Sequence, residues 1–476
     1  MLQQYITVRW YMMSRVEDVT GAVLVMELLY KANQRHKQDG LPHQPLAAFY
    51  NDAVNSELDL KADYKHWKLG AGAASASTPA FSFASHPFVL DPGAKSRLLQ
   101  IDAAYSMHRE FQSAYIASFF SQRTSPYLVL RVHRTNLIQD TLQQLSRYQP
   151  EEYKKPLKVQ FIGEQGIDEG GVRKEFFQLL IKELFDVNYG MFTVDDETRV
   201  YQFNPLSLES SIEFELIGIV LGLALYNSII LDIRFPLFIY KKLLNHTTHF
   251  ADLTTAYPAL AKGLKALLDD QSDTVEDVYA RQFTVDIERY GERQVIELKP
   301  GGTDIALTSA NRAEYVQLYT EYVLARSIDK QFTAFKKGFD RCVTASLLVL
   351  FQPEELELLI CGSDTFDWQQ LRDSARYDDG YTADSNMIHW FWQCVDEWDE
   401  GRKRKLLMFC TGSDRAPIRG LGSLRLTISK NGGDSELLPT SHTCFNHLLL
   451  PEYATKEKLK RLLELALDNG IGFGLI

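Results

Sequence analysis

The amino-acid sequence predicts an α+β fold with more than one domain. At 476 residues, the chain is longer than a single hydrophobic core normally supports. Helical periodicity dominates its middle region, whereas helices alternate with short strands from about residue 365 onward. Hydrophobic residues make up 45% and charged residues 24% of the sequence, as is typical of a globular protein. We therefore expect two or three domains, the last of which is a small α/β unit.

The first segment of the chain is predicted to be helical. Residues 19–34 carry apolar side chains at every third or fourth position, which predicts an amphipathic helix. Residues 70–79 read GAGAASASTP, a run of small residues that favours a flexible connector. We interpret residues 1–85 as a helical N-terminal extension with a linker near residues 70–80. The extension contains no recognisable repeat or substrate-binding motif. Because Met1 lies so close to this extension, the sequence fits either a short protein or a fragment of a longer one.

The middle of the chain mixes strands with long helices. Alternating patterns predict strands at residues 127–133 and 157–163, with a helix at residues 136–148 between them. Further helical patterns follow at residues 175–185, from residue 216, at residues 313–339 and at residues 353–360. The last region adds helices at residues 385–399 and 456–467 and strands at residues 424–429 and 445–450. These patterns predict a mainly helical middle region and a C-terminal α/β unit.

The most apolar segment, residues 216–231, is not predicted to span a membrane. Asn227 and Ser228 interrupt it, and it is too short for the hydrocarbon core of a bilayer. We interpret it as a buried helix that runs into a strand. The N-terminus carries Arg9 and Arg15 without an uninterrupted apolar stretch, so it does not resemble a secretory signal.

Charge and cysteine usage exclude several classes of function. The formal net charge of −11 disfavours binding to a phosphate backbone, so we expect no nucleic-acid partner. Five cysteines without a C-x-x-C pair fit neither a disulfide framework nor a zinc site, so we expect no metal. This usage is typical of a reducing compartment. We therefore expect a cytoplasmic protein, with the nucleus as an alternative compartment.

A glycine-rich stretch at residues 163–171 invites a nucleotide-binding interpretation. The stretch reads GEQGIDEGG, which lacks both G-x-G-x-x-G and a following Gly-Lys-Ser/Thr. Its three carboxylates would repel phosphate. We therefore predict a structural turn that opens a helix at Val172.

Cys444 is the strongest candidate for a nucleophile. It lies in LPTSHTCFN, where Ser, His and Thr side chains favour a partly solvated thiolate. The other four cysteines lie in apolar or amphipathic runs, where a thiol usually packs as a small hydrophobe. His442 lies two residues before Cys444, so it could act as a general base or could only shape the loop and its electrostatics. An inert, buried Cys444 is the structural alternative.

The segment CGSD at residues 361–364 separates the helical region from the C-terminal unit. Gly362 gives the backbone freedom, and Ser363 and Asp364 favour a turn. These residues could form a hinge between two domains. On these residues alone, a helix C-terminus without large motion is the favoured explanation.

The end of the chain resembles the catalytic end of HECT-type ubiquitin-protein ligases. The resemblance rests on LPTSHTCFN at residues 438–446, LLLPEY at residues 448–453 and the ending GFGLI. Further similar segments lie at residues 161–177, 203–205, 217–225, 352–362 and 411–422. The similarity extends from near His86 to the end of the chain. Within the family, the chain most resembles the subgroup of the E6-associated protein.

The resemblance implies an activity and its partners. In HECT-type ligases, a cysteine accepts ubiquitin from the thioester of a conjugating enzyme and passes it to a lysine of a protein substrate. Cys444 matches that cysteine, and His442 and Thr443 belong to the same motif. Thioester exchange needs only an attacking and a leaving thiolate, so no cofactor is expected. The sequence leaves two rival functions open, a cysteine hydrolase and a non-catalytic ubiquitin-binding or protein-binding scaffold.

The resemblance also implies a bilobal HECT domain. A large, mainly helical N-lobe with small sheets is expected at residues 86–361, and a smaller α/β C-lobe at residues 365–476. A mobile hinge, formed by Gly362, Ser363 and Asp364, would join them and let the thiol reach two partners in turn.

Two further sites follow from the resemblance alone. The family docks the conjugating enzyme on residues that match Leu260, Leu264, Asp277, Tyr279 and Tyr315. Two nearby positions depart from the pattern, because Val278 and Arg281 replace an acidic and an apolar residue. Phe473 matches the family phenylalanine that orients the lobes for transfer to lysine.

Overall fold

The computed structural model contains many helices and only short strands. It describes residues 16–38, 40–72, 81–118, 125–164, 171–194, 200–272, 274–289 and 292–469. Within these ranges, no helix is both long enough and apolar enough to cross a membrane. The segment predicted as a buried helix begins as one, but it does not run into a strand, because the helix stops in a turn at Asn227 and Ser228.

The described residues form nineteen α-helices. In the first part of the chain they are α1 (Val16–Gln38), α2 (Asp52–Glu57), α3 (Leu60–Gly72), α4 (Pro92–Ser118), α5 (Leu137–Leu145), α6 (Gly171–Leu184), α7 (Ser211–Tyr226), α8 (Leu237–Leu243), α9 (Phe250–Ala256) and α10 (Pro258–Asp269). They continue with α11 (Val275–Tyr279), α12 (Arg312–Leu324), α13 (Asp329–Cys342), α14 (Ala345–Leu348), α15 (Pro353–Cys361), α16 (Trp368–Ser374), α17 (Asn386–Glu397), α18 (Glu400–Thr411) and α19 (Lys456–Asn469).

The strands form small, separate sheets. They are β1 (Leu128–Val132), β2 (Leu157–Phe161), β3 (Phe192–Val194), β4 (Tyr201–Phe203), β5 (Thr284–Arg289), β6 (Glu292–Glu297), β7 (Arg376–Asp378), β8 (Thr427–Lys430), β9 (Thr440–His442) and β10 (His447–Leu450). Strand β1 pairs in parallel with β2, whereas β3 with β4 and β5 with β6 are antiparallel pairs. A four-stranded sheet has the order β7-β8-β10-β9. Helices with small, mostly segregated sheets make this an α+β fold, as the sequence predicts.

The chain divides into two compact units, each built from segments that are distant in sequence. The first unit comprises the chain up to Phe49, Leu184–Gly222 and Ile233–Glu357. The second unit comprises Tyr50–Glu183, Leu223–Asp232 and the chain from Leu358 onward. One division falls inside α15, close to the predicted hinge. The predicted domain boundaries themselves stay predictions.

In the first unit, α7 and α13 pack so closely that glycine is required on both. A Cβ atom at Gly218 would lie 1.8 Å from the backbone oxygen of Phe335, and one at Gly338 would lie 2.0 Å from that of Glu215. Because these neighbours are backbone atoms, they cannot move aside as a flexible side chain could. Glycine at both positions therefore sets the distance between the two helices.

The long helical pattern predicted at residues 313–339 is two helices in the structure, α12 and α13. The turn between them, Arg326–Ile328, is a short 3-10 helix. Apolar side chains continue with helical spacing across this turn, since Leu324 and Ile328 are both buried. The continuous pattern explains why the sequence alone does not reveal the break.

The second unit ends in a C-terminal module, residues 365–469, with its own hydrophobic core. Helices α17, α18 and α19 pack around the four-stranded sheet and bury Trp392, Leu448, Leu450 and Leu463. The strands predicted at residues 424–429 and 445–450 are β8 and β10, each shorter at its N-terminal end than predicted. This module carries Cys444.

Candidate active site

Cys444 lies in a tight turn between two antiparallel strands. Strand β10 occupies the interior of the sheet, with β8 on one side and β9 on the other. The connection from β9 to β10 consists of residues 443–446, hereafter the cysteine turn, and begins with a short 3-10 helix, Thr443–Phe445. Leu448 and Leu450 of β10 are fully buried, so the core fixes the register of the strand that follows the turn.

Asn446 closes the cysteine turn. Its backbone is left-handed, with φ 50° and ψ 47°, a conformation that asparagine tolerates better than most residues. Its side-chain amide donates to the backbone oxygen of Leu424 at 2.8 Å, and its own backbone oxygen accepts from the Thr427 N–H at 2.9 Å. Through its side chain and its backbone, Asn446 therefore attaches the turn to Leu424 and to Thr427, the first residue of β8.

The residues on either side of Cys444 differ in exposure. Thr443 is buried, whereas the Phe445 side chain is 59% exposed, although it is large and apolar. Before the turn, the Ser441 hydroxyl donates to the backbone oxygen of Phe409 at 2.5 Å, which ties β9 to α18. The turn thus rests on the core through one neighbour of Cys444 and opens to solvent through the other.

The structure places His442 beside a second histidine. His442 and His447 are directly opposite each other in the β9–β10 pair, with ring centroids 6.0 Å apart. The Nε2 atom of His447 lies 2.7 Å from the hydroxyl of Ser429, which is buried. Burial, and secondarily the nearby His442, lowers the pKa of His447. His442 itself is exposed, so its predicted role in the catalytic motif stays a prediction.

The remaining cysteines have the environment of inert thiols. Cys342, Cys361, Cys394 and Cys410 are all buried. Burial raises the pKa of the Cys394 thiol, and it raises that of Cys410 to about 12. A thiol with a raised pKa is a poor nucleophile at neutral pH, because the thiolate is the reactive form.

The predicted hinge, Gly362 to Asp364, is attached to one short segment of the C-terminal module. Gly362 has φ +74° and its N–H donates to the backbone oxygen of Leu358, so it ends α15 as a glycine cap. Ser363 and Ala416 exchange two backbone hydrogen bonds, of 2.7 and 2.9 Å. The helix-cap alternative is therefore realised, and it is compatible with a hinge at the same glycine.

Charged side chains reinforce this attachment. Arg415 is buried and donates to the Gly362 backbone oxygen and to the Asp364 carboxylate. Arg404 donates to the same carboxylate at 2.9 Å. Neither arginine was predicted. Arg415 lies within residues 411–422, one of the segments similar to the HECT family, but nothing in its sequence neighbourhood indicates a partner 51 residues earlier.

The predicted docking residues all belong to the first unit. Leu264 of α10 and Tyr315 of α12 are buried, on two helices that pack against each other. Burial raises the pKa of the Tyr315 hydroxyl to about 12. These two side chains pack in the core of the unit, so they could support a docking surface but could not contact a partner directly.

The exposed members of the predicted docking set lie nearby in sequence. Asp277 is exposed, and Leu260 and Tyr279 are half-buried. Val278, which departs from the family pattern, is 67% exposed between two of these positions.

Three predicted features lie wholly or mostly outside the described residues. They are Phe473, most of the glycine-rich stretch at residues 163–171, and residues 73–80 of the predicted linker. Helix α6 begins at Gly171, one residue before the predicted helix start at Val172. Among the described residues, His, Cys, Asp and Glu side chains form no group that could hold a metal ion.

Comparison with known proteins places the cysteine turn inside a known protein family. The sequence profile of the HECT-domain (ubiquitin-transferase) family matches residues 178–476, which is more than half of the chain. This chain belongs to the HECT family. The match covers the predicted hinge, Cys444 and Phe473.

Curated members of the family match nearly the whole chain. Probable E3 ubiquitin-protein ligase HERC4 of Mus musculus is 38% identical over 96% of this chain and 44% of its own length. Probable E3 ubiquitin-protein ligase HECTD2 of Homo sapiens is 40% identical over 96% of this chain and 60% of its own length. Probable E3 ubiquitin-protein ligase mug30 of Schizosaccharomyces pombe is 34% identical over 96% of this chain and 58% of its own length. The chain therefore spans about half the length of these HECT proteins.

Proposed function

We propose that this chain is a HECT-type ubiquitin-protein ligase that carries ubiquitin as a thioester on Cys444. The observation that carries the proposal is the position of Cys444 in a turn between β9 and β10, inside the segment matched by the HECT profile. The other cysteines are buried, so Cys444 is the residue suited to thiolate chemistry. Ubiquitin, a conjugating enzyme and protein substrates are the partners that this activity requires.

The reaction has two steps, and both use the same thiol. The Cys444 thiolate first attacks the carbonyl carbon of the ubiquitin thioester on the conjugating enzyme, whose cysteine leaves as a thiolate. The neutral amine of a substrate lysine then forms a C–N bond to that carbon while the C–S bond breaks. Cys444 leaves as a thiolate, and the proton of the attacking amine passes to water. Exchange between thiols is nearly thermoneutral, so the protein has to supply positioning more than energy.

A reconstituted charging assay tests the proposal. The chain is incubated with activating enzyme, ATP, fluorescent ubiquitin and a panel of conjugating enzymes, and the products are resolved with and without reductant. We expect a ubiquitin adduct that reductant removes and that Cys444→Ala abolishes. Cys444→Ser is the matched control, because an oxyester on serine persists in reductant. A wild-type chain that forms no adduct with any conjugating enzyme contradicts the proposal.

The same assay separates the two rival functions. A cysteine hydrolase would release free ubiquitin from an added ubiquitin thioester without building a conjugate. A scaffold would support ubiquitination equally well after Cys444→Ala. Formation of a Cys444-dependent adduct followed by transfer to lysine excludes both rivals.

The lobes, the hinge and the docking site belong to the same proposal. We propose an N-lobe at residues 86–361 and a C-lobe at residues 365–476, with motion about the φ and ψ bonds of Gly362 in the hinge at residues 362–364. The hinge rests on the resemblance to HECT-type ligases, and the glycine cap at the end of α15 is compatible with it. We also propose that Asp277, Leu260 and Tyr279 contact the conjugating enzyme, with Leu264 and Tyr315 holding that surface in place from the core.

The subgroup and the cellular location are proposals as well. The sequence resembles the E6-associated protein subgroup, whereas the similar HECT proteins named above are HERC4, HECTD2 and mug30. Assignment to the E6-associated protein subgroup therefore stays a prediction. We propose a cytoplasmic location, with the nucleus as the alternative, on the basis of the cysteine usage.

A further inference from the structure

Helix α6 contacts the C-terminal module through two side chains that lie one helical turn apart. The ammonium of Lys174 donates to the backbone oxygen of Thr443 at 3.1 Å and to the side-chain oxygen of Asn446 at 3.0 Å. The side-chain amide of Gln178 donates to the backbone oxygen of Gly412 at 3.1 Å. Residues four apart lie on the same face of a helix, so both contacts come from one face of α6.

The Lys174 contact brackets the proposed nucleophile. Thr443 directly precedes Cys444, and Asn446 ends the cysteine turn two residues after it. One ammonium group therefore holds both ends of the turn. Hydrogen bonds from a charged donor are stronger than those between neutral groups, and this lysine is only half-exposed, so water competes less for it.

The Gln178 contact depends on the glycine at position 412 of the module. Gly412 ends α18 with φ +74°, and a Cβ atom there would lie 2.1 Å from the Gln178 amide nitrogen. A side chain at Gly412 would therefore displace Gln178. Glycine both ends the helix and lets α6 approach the carbonyl that accepts from Gln178.

We propose that Lys174 and Gln178 form a latch that positions the cysteine turn for transfer of ubiquitin to lysine. The inference rests on the proposed ligase function and assigns two positioning residues to its second step. The latch joins α6, which lies in the proposed N-lobe, to the turn and to the end of α18, both in the proposed C-lobe. It can therefore exist in only one of the arrangements that a hinge allows.

The chemistry of the two steps decides which one the latch serves. Loading is an exchange between two thiols of similar character, and it requires access to Cys444 more than rigid placement. In the transfer step, an amine that is mostly protonated at neutral pH must approach the thioester carbon along a defined path. Fixed geometry lowers the barrier most where orientation is most demanding. A latch that fixes both ends of the turn therefore belongs to the transfer step.

A single-turnover discharge assay tests the latch. The chain is loaded with fluorescent ubiquitin, further charging is stopped with EDTA, free lysine is added, and the loss of the thioester is followed on non-reducing gels. Lys174→Met removes the ammonium and keeps the length of the side chain. Gln178→Glu keeps the shape and turns a donor toward Gly412 into a repelling carboxylate. We expect each variant to lower the discharge rate about tenfold, since either the loss of a charge-assisted hydrogen bond or a carboxylate placed against a carbonyl oxygen is worth about one decade in rate.

Controls separate the latch from general damage. Lys174→Arg retains a charged donor and is expected to keep most of the discharge rate. Lys182→Met removes an exposed lysine from the same helix and is expected to match the wild-type chain in discharge. The initial rate of loading is expected to be unchanged in both latch variants, and their melting temperatures are expected to match that of Lys182→Met.

The outcomes distinguish failure of the latch from failure of the proposed function. A wild-type chain that never forms the thioester overturns the function and the latch together. A wild-type chain that loads and discharges normally, beside Lys174→Met and Gln178→Glu variants that discharge at the same rate, overturns the latch alone. Equal loss of loading and discharge in a folded variant also overturns it, because the contact would then serve both steps.

Discussion

The guanidinium of Arg415 holds the backbone oxygen of Gly362 with two hydrogen bonds, from Nε at 3.2 Å and from Nη2 at 2.8 Å. Its third nitrogen, Nη1, lies 2.7 Å from the carboxylate of Asp364. On the other side of this glycine, the N–H of Leu231 donates to the backbone oxygen of Ile360 at 2.9 Å. The peptide groups on both sides of the Gly362 α-carbon are therefore held, so any hinge rotation is confined to the φ and ψ bonds of this glycine.

Loss of the Arg415 side chain is expected to destabilise the chain. Arg415→Met leaves the Gly362 carbonyl without its two donors, and the arginine side chain is only 9% exposed. We expect the free energy of unfolding to fall by about 2 kcal/mol, the usual range for lost hydrogen bonds from a charged donor. Urea denaturation measures the difference. Arg419→Met, at an exposed position in the same segment, is the control and is expected to change stability by less than about 0.5 kcal/mol.

Substitution of Gly362 tests whether the close approach of the Ala416 backbone oxygen affects stability in addition to the left-handed conformation of the glycine. Gly362→Ala combines φ +74° with a Cβ atom 2.7 Å from the backbone oxygen of Ala416. Gly432 has φ +83°, and a Cβ atom there would meet no other atom within 4 Å, so Gly432→Ala carries the conformational cost alone. We expect Gly432→Ala to cost about 1 kcal/mol and Gly362→Ala at least about 2 kcal/mol. Equal losses in chemical denaturation would show that the approach of Ala416 contributes nothing.

Local patterns made much of the fold predictable. The helical spacing at residues 456–467 and the alternation at residues 127–133 and 157–163 correspond to α19, β1 and β2. These elements bury one face, and burial of one face is what hydrophobic periodicity records. The sequence also singles out Cys444, because its polar neighbours set it apart from the cysteines in apolar runs, and its catalytic role stays a prediction.

Short strands and long-range contacts were not predictable in the same way. Strands β7 and β9 have three residues each, too few to show an alternating pattern. The contact between Lys174 and Thr443 joins positions 269 residues apart, and a lysine in a helix normally faces solvent. Sequence patterns report which face of an element is buried, and they do not report which distant backbone oxygen a charged side chain reaches.

The left-handed conformation of Asn446 predicts a graded response to substitution. Asn446→Ala loses the hydrogen bond to Leu424 and also forces an unfavourable backbone conformation, so we expect a loss of about 2 kcal/mol in unfolding free energy. Asn446→Gly relieves the backbone and loses only the side-chain contacts, so about 1 kcal/mol is expected. Thermal and urea unfolding measure both. A glycine variant less stable than the alanine variant would contradict the assigned role of the backbone.

The predicted role of Phe473 concerns the second step of the reaction. By resemblance to HECT ligases, Phe473→Ala is expected to form the Cys444 thioester at the wild-type rate and to transfer ubiquitin to lysine more slowly. Separate loading and discharge assays measure the two rates. Leu475→Ala is a control two residues further on, expected to leave both rates closer to wild type. Equal loss of loading and transfer in folded Phe473→Ala would contradict the assignment.

The lowered pKa of His447 predicts how the free energy of unfolding depends on pH below neutrality. Its pKa is lowered in the folded protein by burial and by His442, and Asp379 and Asp378 oppose this shift. The unfolded chain binds a proton at this histidine near the ordinary pKa of about 6.5, whereas the folded chain binds it only at lower pH. Protons therefore favour the unfolded state, and the stability contributed by neutral His447 is lost as pH falls below about 6.5.

Replacement of this histidine isolates its share of the pH dependence. His447→Gln can keep a hydrogen bond to Ser429 but does not titrate, so the fall in unfolding free energy between about pH 7 and pH 5 is expected to be smaller than in wild type. Urea denaturation at several pH values measures the slope. His389→Gln removes an exposed histidine of α17 from the same module and is the matched control, expected to retain the wild-type slope. If His447→Gln and wild type lose stability in parallel, protonation of His447 is not coupled to unfolding. The half-buried His447 beside the buried Ser429 would then accommodate a charged ring as well as the unfolded chain does.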